Sequence, residues 1–212
     1  MKVLSEIERA LKRLYNLDSS LQVQDFLVQK PLPGTIAPGA LYVCTPDQAS
    51  DDLNIGVFLH SNILEQLALP SGESWSGPQL AAFGVAAEEI SHFHYIAHHA
   101  PQGRGISQLE LELQGDIDRF LLTFFAQLSS SGQTEPEVFE PLFEKLFESF
   151  TLVERLTSEQ KERYLEANRV AKAFLNKNAS DLKDRRKHPR FLKLAREFYR
   201  RGLADKINQS TR

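Results

Sequence analysis

The chain has 212 residues, of which 42% are hydrophobic and 25% are charged, the balance of a globular protein with a sizeable core. Its single cysteine, Cys44, excludes an internal disulfide framework and a cysteine-rich zinc site. No segment approaches the roughly 18 consecutive apolar residues that a membrane-spanning helix needs. We therefore expect a cytoplasmic protein with no membrane partner.

Charge is distributed unevenly along the chain, although the net charge is only −3. Residues 183–212 contain 11 Lys and Arg against 3 Asp and Glu, a balance of +8 that leaves −11 for residues 1–182. A basic segment of this kind binds an acidic surface, and the nearest one is the rest of the chain. We expect the tail to dock there with its arginines beside glutamates. The alternative partner of residues 183–201 is a nucleic acid.

The first third of the chain combines short helices with short strands. Apolar residues at helical spacing predict an amphipathic helix at residues 3–15. Alternating patterns then predict three strands, at residues 22–29, 40–45 and 53–60. The polar segment 46–52 is typical of a hairpin loop, so we expect a small antiparallel strand group. Ser61 or Asn62 is expected to cap a short helix that ends at Ala68.

The pattern after the strand group is helical. Apolar residues at helical spacing predict five helices, at residues 78–99, 107–128, 136–150, 152–176 and 189–207. The second begins with Ser107 and has Glu110 three residues later, a capping box, and a linker at 129–136 follows it. The fold class is α+β, a small antiparallel strand group followed by a predominantly helical bundle. We expect a core at residues 1–130 and a helical C-terminal extension at residues 131–212 packed on it.

The helix predicted at 78–99 carries a polar stripe beside its apolar face. Its members recur at i, i+4, i+7 and i+11 and so stay in line along the helix: Glu88, His92, Tyr95 and His99. Because Glu88 and His92 lie one turn apart, their side chains can reach a common point, as in metal-binding helices. The stripe is either a solvated or hydrogen-bonded polar face or half of a metal site.

The next helix repeats this design. Its polar stripe has the same spacing and comprises Glu112, Asp116, Arg119 and Thr123. If the two helices pack antiparallel across the turn at 100–105, Glu112 or Asp116 faces Glu88 and His92. Such a set of donors suffices for one divalent zinc, iron or manganese ion.

The order of elements over residues 53–126 is a strand GVFLH, a short helix, a Gly/Ser/Pro loop, a helix containing EEISH at 88–92, and a helix ending DIDRFLLTFF. This order resembles that of the minimal zincin metallopeptidases of the ImmA/IrrE type. The motif is degenerate, since Glu-Glu-x-x-His replaces the family's His-Glu-x-x-His. The expected core is accordingly a degenerate minimal-zincin-like one.

The resemblance implies roles for individual residues. Glu88 takes the position of the first histidine, Glu89 that of the general base and His92 that of the second histidine. Asp116 takes the position of the third metal ligand, with Glu112 as the alternative. Glutamate at position 88 makes the site more anionic, which suits iron, manganese or calcium better than zinc.

Two functions are compatible with these residues. Active members of the resembled family need the first histidine, so we expect a non-catalytic or metal-structured adaptor or regulator that binds another protein. The alternative is an active metal-dependent peptidase acting on a protein substrate. In that case Glu88, His92 and Asp116 or Glu112 hold the metal, and Glu89 takes a proton from water.

Overall fold

The N-terminal part of the fold consists of two helices and a small sheet. The computed structural model describes residues 2–44, 53–69, 75–149 and 156–211. Helix α1 covers Lys2–Tyr15 and buries the apolar stripe Leu4, Ile7, Leu11 and Leu14. Helix α2 covers Ser61–Ala68. Its N-cap is His60, not Ser61 or Asn62 as predicted, because the ring Nδ1 of His60 accepts the Asn62 N–H at 3.2 Å.

The sheet is mixed. Its strands are β1 Leu27–Val28, β2 Gly39–Cys44 and β3 Asn54–Leu59, in the order β1-β3-β2. Strand β2 is antiparallel to β3, but β1 is parallel to it, so the prediction of a purely antiparallel group is wrong. Among the described residues β2 has a neighbour on one side only, and its other edge is unpaired. The predicted hairpin loop at 46–52 lies outside the described residues.

Half of the strand predicted at 22–29 is a 3-10 turn, Val23–Phe26. Buried Val23 donates its N–H to Glu8 Oε1 at 3.0 Å and not to a neighbouring strand. Glu8 also pairs with the buried His94 ring at 2.8 Å, which fastens α1 to the centre of the molecule. An alternating apolar pattern over so few residues fits a turn as well as a strand, and only Leu27–Val28 join the sheet.

Two long helices form the centre of the fold. Helix α3 covers Gly77–His99 and begins with a capping box of Ser76 and Gln79. Helix α4 covers Gln108–Ser131. Three hydrogen-bonded pairs show that the helices run antiparallel: Glu88–Arg119, Ser91–Asp118 and Tyr95–Glu110.

Both ends of α4 differ from the prediction in detail. The Ser107 hydroxyl accepts the Glu110 N–H at 3.2 Å, but the Glu110 carboxylate turns to Tyr95 and Arg104, so the reciprocal half of a capping box is not formed. The helix also runs past its predicted end to Ser131, and the hydroxyls of Ser129 and Ser130 in this extra turn donate to the Ala126 carbonyl. Gly132, with φ of 67°, ends it in the left-handed conformation.

Five helices follow in the described residues: α5 Glu135–Phe143, α6 Ser158–Lys177, α7 Ala179–Leu182, α8 His188–Arg200 and α9 Leu203–Thr211. A π-helical turn, Glu144–Glu148, extends α5. Helix α6 packs on α4 and α9 packs on α6. The helix predicted at 189–207 is two helices because Arg201 is extended and its carbonyl accepts a hydrogen bond from Arg104 at 3.0 Å.

The basic tail docks on the body. Helix α8 buries an apolar face, Phe191, Ala195, Phe198 and Tyr199. Arg196 and Arg200 donate at 2.9–3.1 Å to the carbonyls of Arg13, Leu14 and Tyr15 at the end of α1. Their partners are therefore helix carbonyls and not the expected glutamates, a contact that the helix dipole favours. No helix among the described residues is both long and apolar enough to cross a bilayer.

Candidate metal centre

Three potential metal ligands converge where α3 and α4 meet. Glu88 and His92 of α3 and Glu112 of α4 each offer one ligand atom, and these atoms all lie within 4.8 Å of one another. Gly115, one turn after Glu112, allows the close approach: a Cβ there would be 2.6 Å from His92 Nε2. One imidazole and two carboxylates form a donor set that fits zinc, iron(II) or manganese(II).

His92 is the buried centre of this group. Its Nε2 has no hydrogen-bond partner among the described residues, although the residue is only 8% exposed. Burial lowers the pKa of His92, but the carboxylates of Glu89, Glu112 and Glu88 outweigh it and raise the pKa to about 9. The carboxylates therefore create a negative potential that favours a positive charge. This charge is either a proton on His92 or a cation that binds in place of the proton.

Glu89 lies beside the three ligands without joining them. Its Oε2 is 3.7 Å from His92 Nδ1 and has no hydrogen-bond partner among the described residues. Burial raises the pKa of Glu89, and neighbouring Glu88 adds to the rise. Strand β2 passes close by, since a Cβ on Gly39 would lie 2.7 Å from Glu89 Cγ. A buried carboxylate with a free oxygen beside a cation site has the placement of a proton acceptor.

Arg119 bridges the carboxylates of Glu88 and Asp116. It donates to Glu88 Oε2 at 3.1 Å and to Asp116 Oδ1 at 2.7 Å. Burial raises the pKa of Asp116 to about 7 although Arg119 opposes the shift. Glu112 therefore belongs to the group of three converging donors. Asp116, the residue that the resemblance favoured, is instead paired with Arg119.

Tyr95 and His99, the other half of the predicted stripe, lie in a separate buried network. Tyr95 Oη donates to Glu110 Oε1 at 2.5 Å and accepts from Lys206 Nζ at 2.8 Å. The Nε2 atom of His99 is 3.1 Å from the Tyr199 carbonyl oxygen. Burial and a neighbouring guanidinium lower the pKa of His99 to about 4, so its ring is neutral. These residues join α9 to α3 and contribute no ligand to the centre.

The three ligands open onto a cleft of about 570 Å³. Strand β2 and helix α6 form two of its walls, and α6 contributes Arg163 and Tyr164. Burial, together with Glu112 and Glu88, raises the pKa of Tyr164, so its hydroxyl stays protonated next to Glu112. The sequence analysis did not identify Arg163 or Tyr164, because nothing in the α6 pattern distinguishes them from an ordinary charged helix face.

Comparisons with protein-family models, with curated proteins and with solved structures found no match for this chain. Any functional conclusion therefore depends on the centre itself. Its relevant features are the three donors, the adjoining Glu89 and the open cleft.

Proposed function

We propose that this protein is a metal-dependent peptidase in which Glu88, His92 and Glu112 hold one divalent cation and Glu89 is the general base. The observation that carries the proposal is that the three donors line an open cleft. Glu89 lines the same cleft, and its Oε2 has no hydrogen-bond partner among the described residues. Catalytic metal sites have three protein ligands and keep a further position open, whereas structural sites are closed.

Glu89 and Arg119 each have a part in the proposed reaction. A divalent cation supplies Lewis acidity, which lowers the pKa of water and polarises a carbonyl group. Glu89 accepts the proton from the attacking water. Arg119 holds the Glu88 carboxylate in place, as an outer partner of a metal ligand does.

The unpaired edge of β2 supports a peptide as substrate. Four residues of this strand line the cleft: Gly39, Ala40, Leu41 and Val43. The outer edge of the strand has no strand partner among the described residues. An extended peptide can add to such an edge through main-chain hydrogen bonds. That placement would bring its backbone past Glu89, because Gly39 lets the strand lie against this side chain.

Metal titration tests the centre. Protein purified without a histidine tag and stripped with a chelator should bind one zinc, manganese or iron(II) ion in calorimetry. We expect His92→Ala and Glu112→Gln each to weaken binding at least tenfold, about the size of effect that even outer-shell changes produce. Asp116→Asn should have a smaller effect, since Asp116 pairs with Arg119 and is not one of the three converging donors. Absence of ion binding by the stripped protein refutes the centre.

Glu89→Gln tests hydrolysis. A peptide library with fluorescence readout should be cleaved by the wild type and not by this variant, although the variant still folds and still binds one ion. Glu65→Gln, at an exposed position of α2, is the matched control. The competing proposal is the metal-structured adaptor, which predicts ion binding without turnover and no effect of Glu89→Gln on any measured property.

A further inference from the structure

Arg163 is a cation on the cleft wall with no hydrogen-bonded carboxylate in the part of the chain that the structure describes. Its side chain is 17% exposed, and its Nε is buried without a hydrogen bond among the described residues. The only carboxylate paired with it there is that of Glu112, at 3.7 Å from Nε to Oε1, which is too long for a hydrogen bond. Glu112 is itself one of the three ligands, so a cation bound at the centre competes with Arg163 for its charge.

This arrangement leaves the guanidinium able to bind another carboxylate. Arg119, the other arginine at the centre, shows the contrast, because it donates directly to two carboxylates at 2.7 and 3.1 Å. Guanidinium groups recognise carboxylates through two parallel hydrogen bonds, and these are stronger than neutral hydrogen bonds. A substrate carboxylate in the cleft would supply the partner that Arg163 lacks.

We infer that Arg163 binds the C-terminal carboxylate of the substrate and that the enzyme is a carboxypeptidase; this inference rests on the proposed function. The distances support release of a single residue. A cation about 2.0–2.2 Å from Glu112 Oε1 lies at most about 6 Å from Arg163 Nε, given the 3.7 Å distance between Nε and that oxygen. One residue spans about 3.8 Å between Cα atoms, so the carboxylate directly after the reacting bond reaches Arg163.

The proposed step balances without a further reactant. Water adds to the carbonyl carbon of the last peptide bond while Glu89 takes its proton. The C–N bond breaks, and Glu89 passes that proton to the leaving amine. Arg163 is a binding residue in this step, since it contacts the carboxylate of the departing amino acid and not the reacting bond.

Peptide binding tests the inference apart from turnover. The ion-loaded Glu89→Gln variant is titrated with one peptide as its free acid and as its C-terminal amide. We expect the amide to bind about 10- to 100-fold more weakly, the range for loss of a charged hydrogen-bonded pair. Arg163→Gln in the same background should weaken binding of the free acid by a similar factor and abolish the difference. Arg169→Gln, on the same helix and exposed, should change neither value.

Further measurements distinguish the carboxylate's source and guard against misfolding. If an amidated peptide ending in glutamate binds as tightly as the free acid, the site recognises a side-chain carboxylate and the inference is overturned. Equal rates of cleavage of the free acid and the amide would overturn it as well. With otherwise active enzyme, Arg163→Lys should raise KM more than it lowers kcat, and mass spectrometry should show loss of one C-terminal residue. Ion titration of each variant reports separately on the proposed function, so failure of the centre and failure of the carboxylate site are distinguishable.

Discussion

Gly115 determines how closely the His92 ring can approach α4. A Cβ at this position would lie 2.6 Å from His92 Nε2 and 3.3 Å from Glu88 Cγ. Alanine is the better helix former by up to about 1 kcal/mol, but overpacking of a buried site costs about 1–3 kcal/mol. We expect Gly115→Ala to destabilise the protein in urea unfolding and to weaken ion binding at least tenfold.

Gly84 provides the control for that substitution. It too is buried within a central helix, but its added Cβ would meet only the flexible Arg119 stem at 3.6 Å, an ordinary contact. Gly84→Ala should therefore leave stability unchanged or raise it by up to about 1 kcal/mol. If both substitutions changed stability and ion binding equally, the close approach of His92 to Gly115 would not be the cause of the effect.

Lys206 carries an ammonium group into a fully buried position on α9. Its Nζ donates to Tyr95 Oη at 2.8 Å and to Gln114 Oε1 at 2.7 Å, both neutral acceptors. Burial lowers the pKa of Lys206 to about 7, although Glu110 and Asp118 oppose the shift. Between pH 7 and about 10 the unfolded chain then binds more protons at this site than the folded protein, so Lys206 makes the free energy of unfolding rise with pH.

Lys206→Met isolates that contribution. His92 has the opposite sign, because its raised pKa adds stability that is lost as pH rises from about 6.5 to 9. The two effects partly cancel in the wild type, so the useful quantity is the stability difference between wild type and variant. From pH 7 to 9 we expect this difference to move in favour of the wild type, by up to about 1.4 kcal/mol per pH unit. A constant difference in urea titrations would contradict the lowered pKa.

The ligand group shows where residue-level prediction from sequence stops. Helical spacing placed Glu88 and His92 on one stripe and Glu112 and Asp116 on another, and the structure brings members of both together. Helical spacing could not specify which acid of α4 joins Glu88 and His92, because Glu112 and Asp116 lie on the same stripe. The rotation of α4 and the pairing of Asp116 with Arg119 decide this, and both depend on tertiary packing.

Helix α8 stabilises α1 by capping its C-terminal end. Arg196 donates at 2.9 Å to the Leu14 carbonyl and at 3.1 Å to that of Arg13. We expect Arg196→Met to destabilise the protein by about 1–2 kcal/mol, since it removes charged hydrogen bonds and a favourable dipole contact. Lys193→Met, exposed on the same helix, should change stability by less than about 0.5 kcal/mol. Urea denaturation measures both, and similar losses would argue against capping.

The helical elements were more predictable than the strands. Long apolar periodicity located α3, α4 and α6, and the capping residue Ser107 marked the start of α4. The prediction of a strand at 22–29 was largely wrong, because the alternating pattern is too short to distinguish a turn from a strand. The break between α8 and α9 was missed because it depends on Arg104, a residue nearly a hundred positions away.

The basic tail is an integral part of the folded molecule. Phe191, Phe198, Tyr199 and Lys206 are all at most 1% exposed, and the Tyr199 ring stacks on Tyr15 with centroids 4.1 Å apart. Each buried aromatic contributes about 3–5 kcal/mol, so their joint loss approaches the whole stability of a domain. A chain ending at Leu182 should therefore lose its cooperative melting transition in calorimetry. An unchanged transition, with loss of binding to a polyanion, would favour an external partner for residues 183–201.

The architecture of the cleft also bears on how the protein is made. The cleft takes residues from β2, α3, α4 and α6, so Gly39 and Tyr164 at its two walls are separated by most of the chain. During translation, Glu88, His92 and Glu112 leave the ribosome before α6 does. A nascent chain could then capture an ion before the wall that carries Arg163 exists. If the proposed hydrolysis occurred in this early form, it would lack the proposed carboxylate site, so selection among peptides would begin only with the emergence of α6.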